Sequence, residues 1–281
     1  DGCSACGSRK VSGPIYLDPA AGGLACGEHR RPDRDAQPLS AGSVRLLERL
    51  LTLPVAQAAR HRAGAAMRGQ AVHVGGDAIV DAILRCDMIG ANAKTPTISV
   101  RRGPREEFVG GAAVVAKHAA AAGAEVQLTT VLGDDAAAKF AVDDLQAVGV
   151  EVHPVVDRAR PTTVNEAVVV DGYRLLKIDS VDNRPVSGNP LRYLVEHVSE
   201  TRGGAAVFCD FRHGIFHGHS TPELTGAIPA GCLRAADSQV ASRWGNICDF
   251  RGFDLITPNE REARFALGDQ DSGVRPLAAR R

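Results

Sequence analysis

The run "GGAAVVAKHAAAAGAEVQLTTVLGDD" occupies residues 110–135. Its Ala-rich first part opens at a glycine pair and predicts a helix. "EVQLTTVL" is apolar and β-branched, ends at a Gly-Asp-Asp turn, and predicts a strand. The same alternation continues outward. "AVHVGGDAIVDAI" (residues 71–83) reads as a first strand, "AAAKFAVDDLQAVGV" (136–150) as a further helix, and "AAVFCDF" (205–211), "CLRAADS" (232–238) and "DLITPN" (254–259) as short apolar strands, each ending in a polar residue. "TTVNEAVVV" and "YRLLKID" form a predicted hairpin around Asp171-Gly172. Strands alternating with helices argue an α/β, Rossmann-like, mainly parallel sheet with flanking helices. In such sheets ligands bind beyond the carboxyl ends of the strands, where Asp210, Asp237 and Asn259 converge.

The 281 residues allow one large domain or two smaller ones. Thirty-three Lys+Arg balance 33 Asp+Glu, so no overall field draws nucleic acid or an anionic membrane. No apolar run approaches the ~18 residues of a membrane span. No secretory pattern opens the chain, and a cytoplasmic location is expected. The first residue is Asp, so a processed chain or a fragment is expected.

Residues 1–62 read differently from 71–281, with "RAGAAMRGQ" around 63–70 as a linker. Cys3-x-x-Cys6 and Cys26-x-x-His29 are two short-spaced pairs, suited to one tetrahedral Zn²⁺. Ser40 caps a predicted helix with leucines at 46, 47, 50 and 51 on one face. The Cys-x-x-Cys knuckle, the "DPAAGGLAC" approach and "LSAGSVRLLERLL" resemble the C-terminal end of RecO-type DNA recombination mediators, with His29 where a cysteine is usual. That resemblance implies a DNA-repair module. A small excess of Lys and Arg here is too little to argue DNA binding alone.

Three features carry the chemistry. Gly110-Gly111 ahead of a helix suits close ligand approach, and equally a tight strand-to-helix turn. Asp77 and Asp81 beside the first strand suit sugar hydroxyls, or are solvated turn residues. Asn259-x-x-Glu262 is a capping box on its own spacing, and a carboxylate there also suits a hydrated Mg²⁺ near phosphates.

The segments "GGDAIVDAI", "FVGGAAVVAKHAAAAGAEV", "TVLGDD", "RPTTVNEAVV", "YRLLKID", "FCDFRHGIF", "ADSQ" and "ITPNEREA" occur in an order that resembles the PfkB/ribokinase-type carbohydrate kinases, nearest to the heptose-phosphate kinase part of bifunctional ADP-heptose synthase. The resemblance implies a ribokinase-like sheet with a small β lid, and transfer of the ATP γ-phosphoryl group to a sugar hydroxyl with Mg²⁺. It implies that Asp81, Gly110 and Gly111 bind the sugar, and that Asn259 and Glu262 belong to the magnesium–phosphate side. Val114 stands where the family has a sugar-binding Asn, and Asn165-Glu166-Ala167 replaces basic residues of the heptose-kinase pattern. A different or unphosphorylated sugar therefore stays open. The family's Gly-Ala-Gly-Asp segment, with the catalytic base, does not occur in the sequence. The expectation is an inactive fragment lacking the nucleotide-binding third, with a sugar-binding pseudokinase or a non-catalytic zinc module as alternatives. The oligomeric state is left open.

Overall fold

A computed structural model describes residues 15–18, 23–26, 37–39, 67–92, 97–239 and 247–269. The chain divides into two units, Asp1–Ala65 and Ala66–Arg281. In the first, β1 (Ile15–Asp18), β2 (Gly23–Cys26) and β3 (Gln37–Leu39) form an antiparallel sheet of order β2-β1-β3. Of the four expected zinc ligands only Cys26, the last residue of β2, falls on these strands. Cys3, Cys6 and His29, like the expected leucine-rich helix, lie outside the described residues.

The second unit is built on β4 (Ala71–Gly76), β7 (Glu125–Leu132), β8 (Glu151–Val156), β11 (Ala205–Asp210), β12 (Leu233–Ser238) and β13 (Leu255–Ile256). They make one six-stranded sheet of order β13-β12-β11-β4-β7-β8, parallel throughout. Parallel pairing requires crossovers. These are supplied by α1 (Ala112–Ala121), α2 (Ala136–Gln146), α3 (Gly188–Ser199), α4 (Ser220–Ala227) and a 3₁₀ turn at Ile247–Phe250; α5 (Glu260–Leu267) follows β13.

Helices on both faces leave two cores. On one, Ala112, Ala113 and Ala116 of α1 lie fully buried against Val74 and Leu128. Alanine at these three positions lets the helix axis approach the strands closely, which explains the Ala-rich run. On the other face Phe208 sits among Phe216, Phe250 and Phe253 at ring-centroid distances of 5.1–6.5 Å.

The first strand expected at residues 71–83 is two strands in two sheets. β4 ends at Gly76; after Asp77 the chain enters β5 (Ala78–Asn92). The break has a steric cause. Gly76 holds φ +149, and a Cβ there would stand 2.1 Å from the Cys209 carbonyl oxygen. β5 pairs antiparallel with β6 (Thr97–Gly111) and parallel with β9 (Val164–Val170), which pairs antiparallel with β10 (Tyr173–Ser180). Because β5 continues directly from the carboxyl end of β4, this four-stranded sheet, order β10-β9-β5-β6, springs from the edge of the main sheet where ligands bind. The expected β9–β10 hairpin is present, and Asp171 (φ 50) and Gly172 (φ 79) give the two left-handed residues of a type I′ turn. Among the described residues no helix is long and apolar enough to cross a membrane.

Candidate functional site

Asp77 is the hinge between the two sheets and the most constrained polar residue of the site. It is 3 % exposed. Its Oδ2 accepts from the backbone N–H of Phe211 (2.8 Å) and of His213 (3.2 Å), and its own carbonyl accepts from the N–H of Ala112 (2.9 Å). It thereby ties the loop after β11 and the start of α1 to the end of β4. Burial pushes its carboxyl up to about 6, against the pull of those N–H groups and of Arg212. The carboxylate therefore anchors backbone, and is not the solvated turn residue that spacing alone allows.

The end of β11 carries a second buried group. Asp210 accepts from Ser238 Oγ (3.1 Å) and from the N–H of Arg212 (2.9 Å), and lies 3.1 Å from the Arg212 guanidinium. Burial raises its pKa to about 7, the Asp77 carboxylate adds to the rise, and Arg212 opposes it. Arg212 sits at φ 66, an uncommon conformation for a non-glycine residue. Its side chain bonds Ser238 Oγ (2.6 Å) and the Gln239 carbonyl (2.9 Å). On the next strand Asp237 accepts from Thr257 Oγ1 (2.8 Å).

Asp81, Gly110 and Gly111 come together. Asp81 pairs in register with Phe108 on β6 and Asn165 on β9. A Cβ on Gly110 would stand 2.2 Å from Asp81 Oδ2, so the carboxylate lies over the bare Gly110 backbone. Gly111 holds φ +59, and a Cβ there would stand 2.2 Å from the Asp77 carbonyl oxygen. The glycine pair is thus a required tight turn, buried at the end of β6 with the Asp81 carboxylate lying over it. Asn165 Nδ2 reaches Asp81 Oδ1 at 3.4 Å, and Asp179 is the register partner of Asn165 on β10. Side chains alternate across a strand, so Phe108, Asp81, Asn165 and Asp179 share one face of the second sheet. Glu166 turns to the other face, where it holds Arg105 at 2.5 Å, and Glu107 holds the same guanidinium. The exchange noted at 165–167 therefore places an amide, not a carboxylate, beside Asp81. Val114, in the first turns of α1, is half-buried.

A small cleft of about 10 Å³, room for about one water, is lined by Asp77, Ala78, Arg160, Thr163, Asp182 and His213, among others. Arg160 braces it: its guanidinium bonds Asp157 (2.9 Å) and the carbonyls of Asp182, Arg184 and His213. His213 Nδ1 is buried with no hydrogen-bond partner among the described residues. Arg160 and His213 sit inside the segments "RPTTVNEAVV" and "FCDFRHGIF", yet nothing local to either segment marks them as cleft residues.

Asn259 and Glu262 stand apart, beyond β13 and three strands from β4, about 14 Å across the sheet at ordinary strand spacing. They form the capping box: Asn259 Oδ1 accepts from the Glu262 N–H (3.0 Å), and Glu262 Oε2 accepts from the Asn259 N–H (2.8 Å). Among the described residues no group of three or more His, Cys, Asp or Glu could hold a metal ion. With one oxygen given to the cap, Glu262 suits at most a contact to a magnesium ion through its waters.

A parallel sheet crossed by helices, with a second sheet springing from its carboxyl edge, defines the ribokinase-like α/β fold. The sequence pattern of the pfkB family carbohydrate kinases matches residues 70–280, and the chain belongs to that family. It is 32% identical over 229 residues to the bifunctional protein HldE of Caulobacter vibrioides, covering 76% of this chain and 45% of that protein. It is 29% identical over 189 residues to the D-beta-D-heptose 7-phosphate kinase of Bordetella bronchiseptica, covering 65% and 56%. The chain thus spans about half the length of these curated relatives. The fold is shared with phosphofructokinase-2 from Escherichia coli (TM-score 0.58, 20% identity, 74% of this chain and 68% of that one). It is also shared with Arabidopsis thaliana ribokinase complexed with ribose and ATP (TM-score 0.54, 18% identity, 75% and 66%).

Proposed function

We propose that this chain carries the acceptor half of a carbohydrate kinase, binding a sugar of the heptose class for phosphorylation by ATP. The observation that carries the reading is Asp81 lying over the bare backbone of Gly110. An exposed carboxylate accepts hydrogen bonds from two adjacent hydroxyls, and the absent side chain of Gly110 lets that carboxylate lie close against the backbone. The Asp77 anchor fixes that floor relative to the main sheet. The heptose class is supported by the similarity to HldE and to the Bordetella enzyme. Magnesium, arriving with ATP, neutralises phosphate charge during transfer, and Glu262 would meet it through water. The role of this chain's own residues is to bind and orient the acceptor hydroxyl, which is most of what phosphoryl transfer asks of a protein.

No Gly-Ala-Gly-Asp segment lies within the 281 residues, so binding rather than turnover is the first readout. The test is thermal unfolding of the chain with heptose, ribose, fructose or MgATP added singly. A sugar at 100 times its Kd adds about 2.7 kcal/mol to the folded state, or roughly 5–10 °C in Tm for a unit of this size. A shift of that order with heptose is expected. No shift with any sugar refutes the proposal.

A further inference from the structure

We propose, resting on the acceptor-site reading above, that Phe108 is the surface on which the acceptor sugar lays one face of its ring, and that it selects a closed ring over an open chain. A sugar ring has two kinds of surface. Its hydroxyls stand around the rim, where carboxylates and amides hold them. Its faces carry C–H groups, which lie well against the electron-rich face of an aromatic side chain.

β6 carries such a ring where its own packing does not call for one. The stretch "RRGPREE", residues 101–107, is charged and mostly exposed, and Phe108 follows it, 49 % exposed. The side chain belongs to neither core of the main sheet. The second sheet has a small apolar cluster of its own around Leu84 and Val168. Leu84 stands three residues beyond Asp81, so that cluster lies on the reverse face. Phe108 makes no ring contact among the described residues. Little of the described fold's packing therefore rests on this side chain.

Its neighbours on its own face are of the kind a sugar needs. Asp81 is its in-register partner on β5, and Asn165 is the register partner of Asp81 on β9, its amide 3.4 Å from the carboxylate. Side chains directly opposite in an antiparallel pair have Cβ atoms about 5 Å apart. That is close to the breadth of one sugar ring, so a single ligand can rest on Phe108 and reach the Asp81 carboxylate with its hydroxyls. Outward on the same face stands the Arg85–Glu106 ion pair, at 3.3 Å. Inward stands Gly110, so β6 places no side chain beside the ring toward the main sheet. An apolar platform next to a few fixed polar groups is the usual make-up of a small-molecule site. A phenyl ring has no hydrogen-bonding group with which to read a hydroxyl pattern. It discriminates by shape, and a rigid ring face covers it better than a flexible chain does.

The experiment is calorimetric titration of the whole chain with heptose and, separately, with the corresponding heptitol, an open-chain polyol without a rigid face. The wild-type chain is expected to bind heptose about tenfold tighter than the heptitol. Phe108→Ala is expected to weaken heptose about tenfold and the heptitol by less than about threefold, which removes most of the preference. Phe108→Tyr keeps the ring face and is expected to stay within about twofold of the wild type for both ligands. As a change at a half-exposed position, each variant should melt within about 2 °C of the wild type. The inference is overturned if Phe108→Ala leaves heptose binding unchanged, weakens both ligands alike or lowers the melting temperature beyond that margin, or if Phe108→Tyr loses affinity as Phe108→Ala does. In each of those cases heptose binding by the wild-type chain leaves the acceptor-site reading standing. Failure of the wild-type chain to bind heptose overturns the two together.

Discussion

The buried carboxyl of Asp77 gives the sharpest physical prediction. Its folded-state pKa is about 6 against an ordinary 3.8. Between those values the folded chain holds a proton that the unfolded chain has released. The stability this provides is fully present below pH 3.8 and is lost as the pH rises through 6. A difference of this size is worth about 3 kcal/mol. Asp77→Asn keeps an oxygen for the N–H groups of Phe211 and His213 and removes the titration. The variant should match the wild type near pH 4 and overtake it by about 3 kcal/mol at pH 7. The comparison must be a difference, because His73 acts in the opposite sense. Its pKa is lowered to about 4 by burial first and then by His153 and His197; its contribution is present above 6.5 and lost as the pH falls toward 4. Urea unfolding of both proteins at intervals from pH 4 to 7 measures the gap. A gap that stays flat within 0.5 kcal/mol, or grows in favour of the wild type, would show that the two N–H bonds outweigh burial and refute the reasoning.

Three further changes separate structure from binding. Gly76→Ala places a Cβ 2.1 Å from the Cys209 carbonyl oxygen of the adjoining strand, and should cost at least about 3 kcal/mol in urea unfolding; a cost below 1 kcal/mol refutes the close approach. Gly110→Ala instead meets only the end of the Asp81 side chain, so heptose affinity should fall about tenfold, one to two hydrogen bonds' worth, while Tm changes little; the reverse pattern counts against the site. Asn259→Ala should cost about 1 kcal/mol as a lost helix cap, and Glu262→Gln, which still accepts from the Asn259 N–H, less than half of that. A larger loss from Glu262→Gln than from Asn259→Ala would show that the carboxylate's charge does more than cap α5.

The α/β class was legible because α1, β7 and α2 follow one another with clear periodicity, and because Asp171-Gly172 announces its turn. The Asn259-x-x-Glu262 box was legible from spacing alone, since all its bonds lie within three residues. The division of residues 71–83 between two sheets was not. Apolar alternation runs on across Gly75-Gly76-Asp77, and the break depends on the Cys209 carbonyl, far away in sequence. β6 escaped notice because "ISVRRGPREEF" is charged. Most of that strand is exposed and becomes buried only at Val109–Gly111, so it shows little apolar period to read. The cleft was the least legible part. His213 and Arg160 come from loops whose positions are fixed by bonds such as Phe211 N–H to Asp77, spanning 134 residues, which no local pattern records.

The central claim is that Asp81 over Gly110 is the acceptor-sugar contact, and titration calorimetry of heptose into the wild-type chain and into Asp81→Ala tests it most directly. Asp81 is exposed and braces nothing but Asn165, so the variant should keep the wild-type melting temperature. Loss of hydrogen bonds to a charged group, at about 1.5–3 kcal/mol, should weaken heptose binding by roughly 10- to 100-fold. Saturable binding that Asp81→Ala leaves unchanged would contradict the account.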